Sequence, residues 1–377
     1  MNILFITSSI AAYRGGIQRV IETLSEYFEQ HDISCYYCYS LIDDPSIPKN
    51  KKLYVSYQGN YDRFRGVFLD FVTSNKIDVI IDEGIPYINV IRALREVKDK
   101  RLARIVFCLH ATPQLMNFKS PTFMGQVKDL ISKILYGCNL YTWRNKQIFK
   151  VVDKYVLLSP RYEDDLCQIL DVDDKTKISS IANPFKLRHE THEYKKGKEN
   201  LFLIVARLAD SQKNLCSALR IWKLFSQVNL DYKLEIAGYG PDEDMYKEYA
   251  KKLNLERVKF VGKTDKPQEY YKRAKFFLMT SRYEGFPMTI IEAMEYDCIP
   301  IVFSTFDAIY DVIESGENGF LIQPYDEQNF CDKMLELVNN PKEYEAIVNN
   351  IEPSLQSYDV SVIGQKWTEF LNQWKSW

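Results

Sequence analysis

No stretch of this 377-residue chain approaches the roughly 20 consecutive apolar residues needed to span a bilayer. The opening, Met1-Asn-Ile-Leu-Phe-Ile-Thr7, lacks a basic region and is too short in apolar residues for a secretory signal. The expected location is therefore the cytoplasm, with peripheral contact at the inner face of a membrane left open. Charge of one sign is also missing. A formal net charge of −2 gives no global field to recruit nucleic acid. The eight cysteines and four histidines show no zinc-ligand spacing, and most cysteines sit inside apolar runs, as reduced thiols of a cytosolic protein would. Cys35-Tyr-Tyr-Cys38 has redox-motif spacing but lies within Ile33–Tyr39, which reads as a strand. There is no Walker-type glycine-lysine loop, no Ser/His/Asp or Cys/His order and no complete dinucleotide fingerprint. Hydrolase, P-loop and nicotinamide readings thus lack support.

What is present is a soluble-type composition, 46% hydrophobic and 27% charged, in a chain long enough for two domains. Short apolar runs alternate with helical patterns, which predicts parallel α/β architecture. In the first half the expected strands are Ile3–Thr7, Ile33–Tyr39, Val79–Asp82, Ile105–His110 and Lys154–Ser159. Ile17, Val20, Ile21, Leu24, Tyr27 and Phe28 mark an amphipathic helix behind Gly15-Gly16. The polar stretch from Asn183-Pro184 to Lys195-Lys-Gly-Lys198 reads as a linker with solvated lysines. A second α/β series follows, with strands Leu201–Ala206, Lys233–Ala237, Val258–Val261, Phe276–Thr280 and Ile299–Phe303. Two doubly wound units are expected to face each other across a cleft. Their expected bounds are 1–190 and 191–357, with the closing stretch 358–377 joined to the first. That stretch places Ile363, Trp367, Phe370, Leu371 and Trp374 on one helical face that must be buried.

The strongest chemical signal runs from Glu284 to Glu292. Gly285 and Pro287, flanking Phe286, read as turn and first-helical-turn residues ahead of an apolar helical run that takes in Met288 and Thr289. This puts Glu284 at an open helix N-terminus, where free N–H groups and the helix dipole attract an anion. Glu292 falls about a turn inside the helix. A phosphate at the helix end would leave both carboxylates to accept hydrogen bonds from hydroxyls, and phosphate plus polyol describes a nucleotide sugar. The bland alternative is a loop acid followed by a helix with one buried, paired glutamate. Upstream, Arg207 and Lys213 follow an expected strand end, where two cations can neutralise a diphosphate. Gly238 and Gly240 follow the next strand and Gly262 the one after. Glycine there lets backbone approach a base or phosphate closely, or simply makes a turn. In the first half, Gly15-Gly16 opens a helix and His110 ends a strand, where it can exchange a hydrogen bond with a substrate hydroxyl. Asp82-Glu83-Gly84 ends another strand and is a candidate to face an acceptor.

In order along the chain, these residues resemble the retaining glycosyltransferases of family 4, which have the GT-B fold. The likeness runs from Gly15-Gly16 through His110, Asn183-Pro184, Arg207, Lys213 and Gly238-Tyr-Gly240-Pro to Ser281-Arg-Tyr-Glu284 and Glu292. It ends in Asn318-Gly319-Phe320-Leu and the aromatic closing helix. The resemblance implies that the C-terminal domain binds the nucleotide sugar, with a UDP-sugar preferred. The N-terminal domain would bind a glycan or lipid-linked saccharide acceptor for a surface polysaccharide. Arg207 and Lys213 would stabilise the diphosphate leaving group. Glu284 would contact sugar hydroxyls, Glu292 ribose hydroxyls, and the N–H groups from Phe286 to Thr289 sugar or phosphate oxygens. Gly16 would approach the phosphate on domain closure, and His110 would contact the donor sugar. The closing helix would cross back to the N-terminal domain. No metal or other cofactor is implied, since the cationic side chains take the metal's role.

Two other classes share these residues: a GT-B epimerase, which would need further acid/base carboxylates, and a non-catalytic nucleotide-sugar-binding protein. One feature stands outside the family outline. Residues 114–154 carry Lys119, Lys128, Lys133, Arg144, Lys146, Lys150 and Lys154 against only Asp129 and Asp153, interleaved with aromatics. Such a mixture suits an anionic lipid surface, or equally a solvated helical face.

Overall fold

The computed structural model describes residues 1–9, 16–41, 47–117, 139–188 and 197–373. The chain divides into two compact units, Met1–Phe185 with Val360–Trp377, and Lys186–Asp359.

The first unit runs β1 (Asn2–Ile6), α1 (Gly16–Gln30), β2 (Ser34–Tyr39), β3 (Lys52–Tyr54), α2 (Tyr61–Ser74), β4 (Val79–Asp82) and α3 (Ile88–Asp99). It continues with β5 (Arg104–Leu109), α4 (Leu140–Val151), β6 (Lys154–Leu157), α5 (Glu163–Leu170) and β7 (Ile178–Ser180). The seven strands form one parallel sheet ordered β3-β2-β1-β4-β5-β6-β7. β1 is central, and its residues Ile3 to Ile6 are wholly buried. A strand covered on both faces reads as a continuous apolar run, which is why its signal was strong.

The second unit runs β8 (Glu199–Val205), α6 (Asp210–Lys213), α7 (Leu215–Val228), β9 (Lys233–Ala237), α8 (Glu243–Lys252), β10 (Val258–Gly262) and α9 (Gln268–Arg273). It continues with β11 (Ala274–Met279), α10 (Met288–Glu295), β12 (Ile299–Phe303), α11 (Ile309–Val312), β13 (Phe320–Ile322), α12 (Glu327–Asn339) and α13 (Pro341–Leu355). Its sheet is parallel, ordered β10-β9-β8-β11-β12-β13. In both sheets the order reverses beside the first strand, the arrangement that gathers loops at the carboxyl ends of the strands.

The chain then returns as α14 (Val360–Asn372), which packs on α1 in the first unit. Ile363, Trp367, Phe370 and Leu371 join Val20, Ile21, Leu24 and Phe28 in one core over β1. Gly364 allows the close approach: a Cβ there would lie 2.5 Å from the Tyr27 ring. Trp374 lies outside the described residues.

Several expectations need correction. β3, β7 and β13 were not anticipated. Each has three residues and sits at a sheet edge, too short for any periodicity to register. Lys198 is not a solvated linker lysine. Its ammonium donates to the carbonyls of Tyr271 (2.9 Å), Ala274 (2.7 Å) and Tyr296, tying the start of β8 to the neighbouring chain. Cys35 and Cys38 stand three apart on β2, on opposite faces of the sheet, so they cannot pair as a redox couple. Burial pushes both thiols up to about 12. Of the basic stretch, Lys119, Lys128 and Lys133 lie outside the described residues; Arg144, Lys146 and Lys150 are on α4. Among the described residues no helix is long and apolar enough to cross a membrane.

Trp367 is 3% exposed, so Trp367→Ala should cost the first unit about 3–5 kcal/mol, read as a lower urea midpoint; an unchanged midpoint would refute the packing role. The second unit should be acid-sensitive. Arg273, and then Lys233, hold the Glu199 carboxyl down to about 2, against an ordinary value of 4.5. A carboxyl depressed on folding stabilises fully above its ordinary value and loses that contribution as pH falls through the folded one. The melting temperature should therefore fall between about pH 4.5 and 2, and more shallowly in Arg273→Met. Identical slopes in the two proteins would rule the pair out as a cause.

Candidate functional site

At the carboxyl end of β8 the chain makes a single helical turn, α6, and leaves it through Asn214 in the left-handed conformation (φ 51°). This turn, not an open loop, carries Lys213. The turn is laced to the segment after β11. The Arg282 N–H donates to the Gln212 carbonyl (2.7 Å), and the Thr280 hydroxyl donates to the carbonyls of Lys213 (3.2 Å) and Asn214 (3.1 Å). Side chains close the same seam. Lys213 Nζ lies 2.5 Å from Glu284 Oε1, and Gln212 Nε2 donates to Glu284 Oε2 at 3.1 Å. The two charged side chains are only 15% and 10% exposed. Partly buried charges of opposite sign stabilise one another only when paired this closely, so each fixes the other's position. Arg282 reaches Asp210, which also accepts from the Tyr246 hydroxyl at 3.0 Å.

Arg207, by contrast, is exposed, and its guanidinium makes no ion pair or hydrogen bond among the described residues. The two cations expected to act alike are thus held differently: one locked to a carboxylate, one projecting into solvent.

Glycine is required at Gly238 and Gly240, though the backbone that comes close is the protein's own. A Cβ on Gly238 (φ 144°) would lie 1.8 Å from the Ala206 carbonyl oxygen, and one on Gly240 would lie 2.3 Å from that of Leu208. Hydrogen bonds Ala206 N–H to Ala237 O and Leu208 N–H to Tyr239 O, both 3.0 Å, zip these strand ends together. Gly238 N–H continues the seam to the Gly262 carbonyl at 2.9 Å. Gly262 has φ 82° with open space around it.

α10 begins after Pro287, which is its N-cap residue and not part of its first turn. Met288 N–H bonds to the Phe286 carbonyl, whereas the N–H groups of Gly285, Phe286 and Thr289 donate no hydrogen bond among the described residues. Three such donors at a helix N-terminus form a site for an anion. Glu292, in the second turn and 8% exposed, accepts from the Tyr271 hydroxyl at 3.0 Å. The buried, paired glutamate and the loop acid at a helix start are therefore both real features of this helix.

In the first unit, His110 follows β5 and Glu83 follows the adjacent β4. His110 Nε2 is hydrogen-bonded to Glu83 Oε2, with the side chains 8% and 2% exposed. Burial pushes the neighbouring Asp82 carboxyl well up, and its Oδ1 accepts from the Ile85 N–H at 2.8 Å. Gly16 is the first residue of α1; Gly15 lies outside the described residues.

Of the predicted residues, the structure brings Lys213 and Glu284 into contact and sets Glu284, Gly285, Phe286 and Thr289 at one helix end. Sequence reasoning missed Gln212, Asp210, Arg282 and Tyr271 as partners. Gln212 and Arg282 lie beside Lys213 and Glu284 in sequence, but nothing local signals that the two segments meet.

Residues 187–353, nearly the whole second unit, match the family model described as "Glycosyl transferases group 1". An uncharacterized glycosyltransferase of Haemophilus influenzae is 26% identical over 321 residues, 80% of this chain and 87% of that protein. The amylovoran biosynthesis glycosyltransferase AmsD of Erwinia amylovora is 24% identical over 366 residues, 95% and 96% of the two chains. The crystal structure of Anabaena HepE in complex with UDP-glucose superimposes with a TM-score of 0.73 at 17% identity, covering 99% of this chain and 100% of that one. The likeness extends over both units, and the fold is GT-B.

The glycine geometry yields an ordered expectation. Gly238→Ala should destabilise the second unit by at least about 2 kcal/mol, because a backbone oxygen occupies the Cβ position. Gly262→Ala, with only its positive φ to resist it, should cost about 1 kcal/mol. Chemical denaturation of the two variants measures both, and equal losses would contradict the interlocking seam.

Proposed function

We propose that the chain is a glycosyltransferase that moves a hexose-type sugar from a nucleotide sugar, UDP-sugar by preference, to a saccharide or lipid-linked saccharide in surface-glycan synthesis. The observation that carries this reading is the Lys213–Glu284 pair set beside the N–H groups of Gly285, Phe286 and Thr289. It lies in the unit that matches the glycosyltransferase family. The supporting relatives are a glycosyltransferase of amylovoran biosynthesis and a neighbour of the same fold holding UDP-glucose.

In this reading a phosphate of the donor accepts hydrogen bonds from the N–H groups at the start of α10, where the helix dipole favours negative charge. The Lys213 ammonium has three donors, of which Glu284 engages one. The others face the charge that grows on the leaving diphosphate, and the exposed Arg207 supplies a second cation. Because Lys213 is already oriented by Glu284, little reorganisation accompanies bond breaking. Glu284, oriented by Lys213 and Gln212, is suited to accept hydrogen bonds from sugar hydroxyls. Glu292, steadied by Tyr271, is suited to the ribose hydroxyls. His110 is assigned to a sugar hydroxyl and Gly16 to the donor phosphate. Retention of configuration and metal independence complete the proposal and follow the family resemblance.

Purified protein screened with UDP-, GDP- and ADP-sugars should show a raised melting temperature and acceptor-dependent release of nucleoside diphosphate with one of them. Lys213→Met alone leaves Glu284 partly buried without its cation, which costs stability as well as chemistry. The informative variant is the double Lys213→Met/Glu284→Gln, neutral at both positions. It should fold and lose about 100-fold or more in kcat. Near wild-type turnover of the double variant would refute the site.

A further inference from the structure

His110 has two ring nitrogens with different surroundings. Nε2 meets the Glu83 carboxylate, while Nδ1 is buried and has no hydrogen-bond partner among the described residues. A buried polar atom without a partner is costly, and native proteins rarely keep one without a use. Two more such atoms belong to the same sheet end: Asp82 Oδ2, on the last residue of β4, and Thr112 Oγ1, just beyond β5. The carboxyl ends of adjacent parallel strands are where open α/β sheets take ligands. Three unsatisfied polar atoms suit a polyhydroxylated ligand, which offers both donors and acceptors.

The tautomer follows from the pairing. A carboxylate oxygen accepts hydrogen bonds and a ring N–H donates them, so the pairing with Glu83 places a proton on Nε2. In that tautomer Nδ1 is a bare acceptor. Glu83 is itself fixed, being 2% exposed and anchored on the strand beside that of His110.

We propose that Glu83 is a positioning residue for His110: it holds the proton on Nε2 and thereby keeps Nδ1 as the acceptor for one hydroxyl of the bound saccharide. This rests on the glycosyltransferase reading, but part of its test does not. With only four histidines, ring-nitrogen NMR of uniformly ¹⁵N-labelled full-length protein, assigned through His110→Ala, reports the tautomer directly. The expected result is a single tautomer with Nε2 protonated and Nδ1 bare, replaced by a tautomer mixture in Glu83→Gln. A proton on Nδ1 in the wild-type protein, or an unchanged pattern in Glu83→Gln, would overturn the proposal without any assay of turnover.

The kinetic arm is a double-mutant cycle. Glu83→Gln should lower kcat/KM about tenfold in the wild-type background and less than about twofold in His110→Ala, since residues acting as a unit are not additive. Full multiplication of the two losses would mean that Glu83 acts independently and would refute positioning. If no nucleotide sugar supports turnover, the glycosyltransferase reading fails, and the NMR result still decides the tautomer.

Discussion

The ion pair between Lys213 and Glu284 joins residues 71 positions apart and binds two strand-end segments of the second unit into one body. Around it the Arg282, Thr280 and Gln212 bonds repeat the same connection through the backbone. The start of α10 is anchored to the same seam through Glu284. Glu284 fixes where the chain enters α10, and with it the direction of the Gly285, Phe286 and Thr289 N–H groups. On the other side, α6 is tied through Asp210 to the Asp242 carboxylate, to Tyr246 and to Arg282. A charged pair at this depth is an expensive way to hold two loops together. Its use makes sense where those charges must also meet a charged ligand, since an apolar contact would provide the rigidity and none of the electrostatics.

The glycines serve the same end. Gly238 and Gly240 allow the segments after β8 and β9 to interlock at backbone distance, and the Gly238 N–H carries the seam on to Gly262 at the end of β10. The strand ends beside α6 are thus braced by backbone hydrogen bonds. Arg207 is the exception, an exposed cation on an otherwise braced edge. In the first unit the same principle appears in miniature. Glu83 and His110 end adjacent strands, and one buried carboxylate determines which face of the imidazole remains available.

Most of the fold was legible in the sequence because buried parallel strands are continuous apolar runs; Val79–Asp82, Lys233–Ala237 and Ile299–Phe303 agree to the residue. The three-residue edge strands were not, having too few residues to show a period. The amphipathic face of α14 announced that it had to be covered, and Gly364 against Tyr27 with Trp367 in the core of the first unit is how it is covered. Lys198 was misread because a lysine in a charge run looks solvated until three carbonyls converge on its ammonium.

For the site, the sequence alone determined residue types and their placement: Arg207, Lys213, the glycines, Glu284 and His110 in segments beside strand or helix ends, and Glu292 about a turn inside a helix. Local periodicity and turn chemistry suffice for that, because both act within a few residues. Pairing was decided only by the tertiary structure. That Lys213 grips Glu284, that Tyr271 steadies Glu292, and that Glu83 holds His110 are contacts between segments 71, 21 and 27 residues apart. No short-range pattern encodes such contacts. They arise when parallel strands bring successive loops to one edge, where buried charges and hydrogen-bonding groups must find partners or remain unsatisfied.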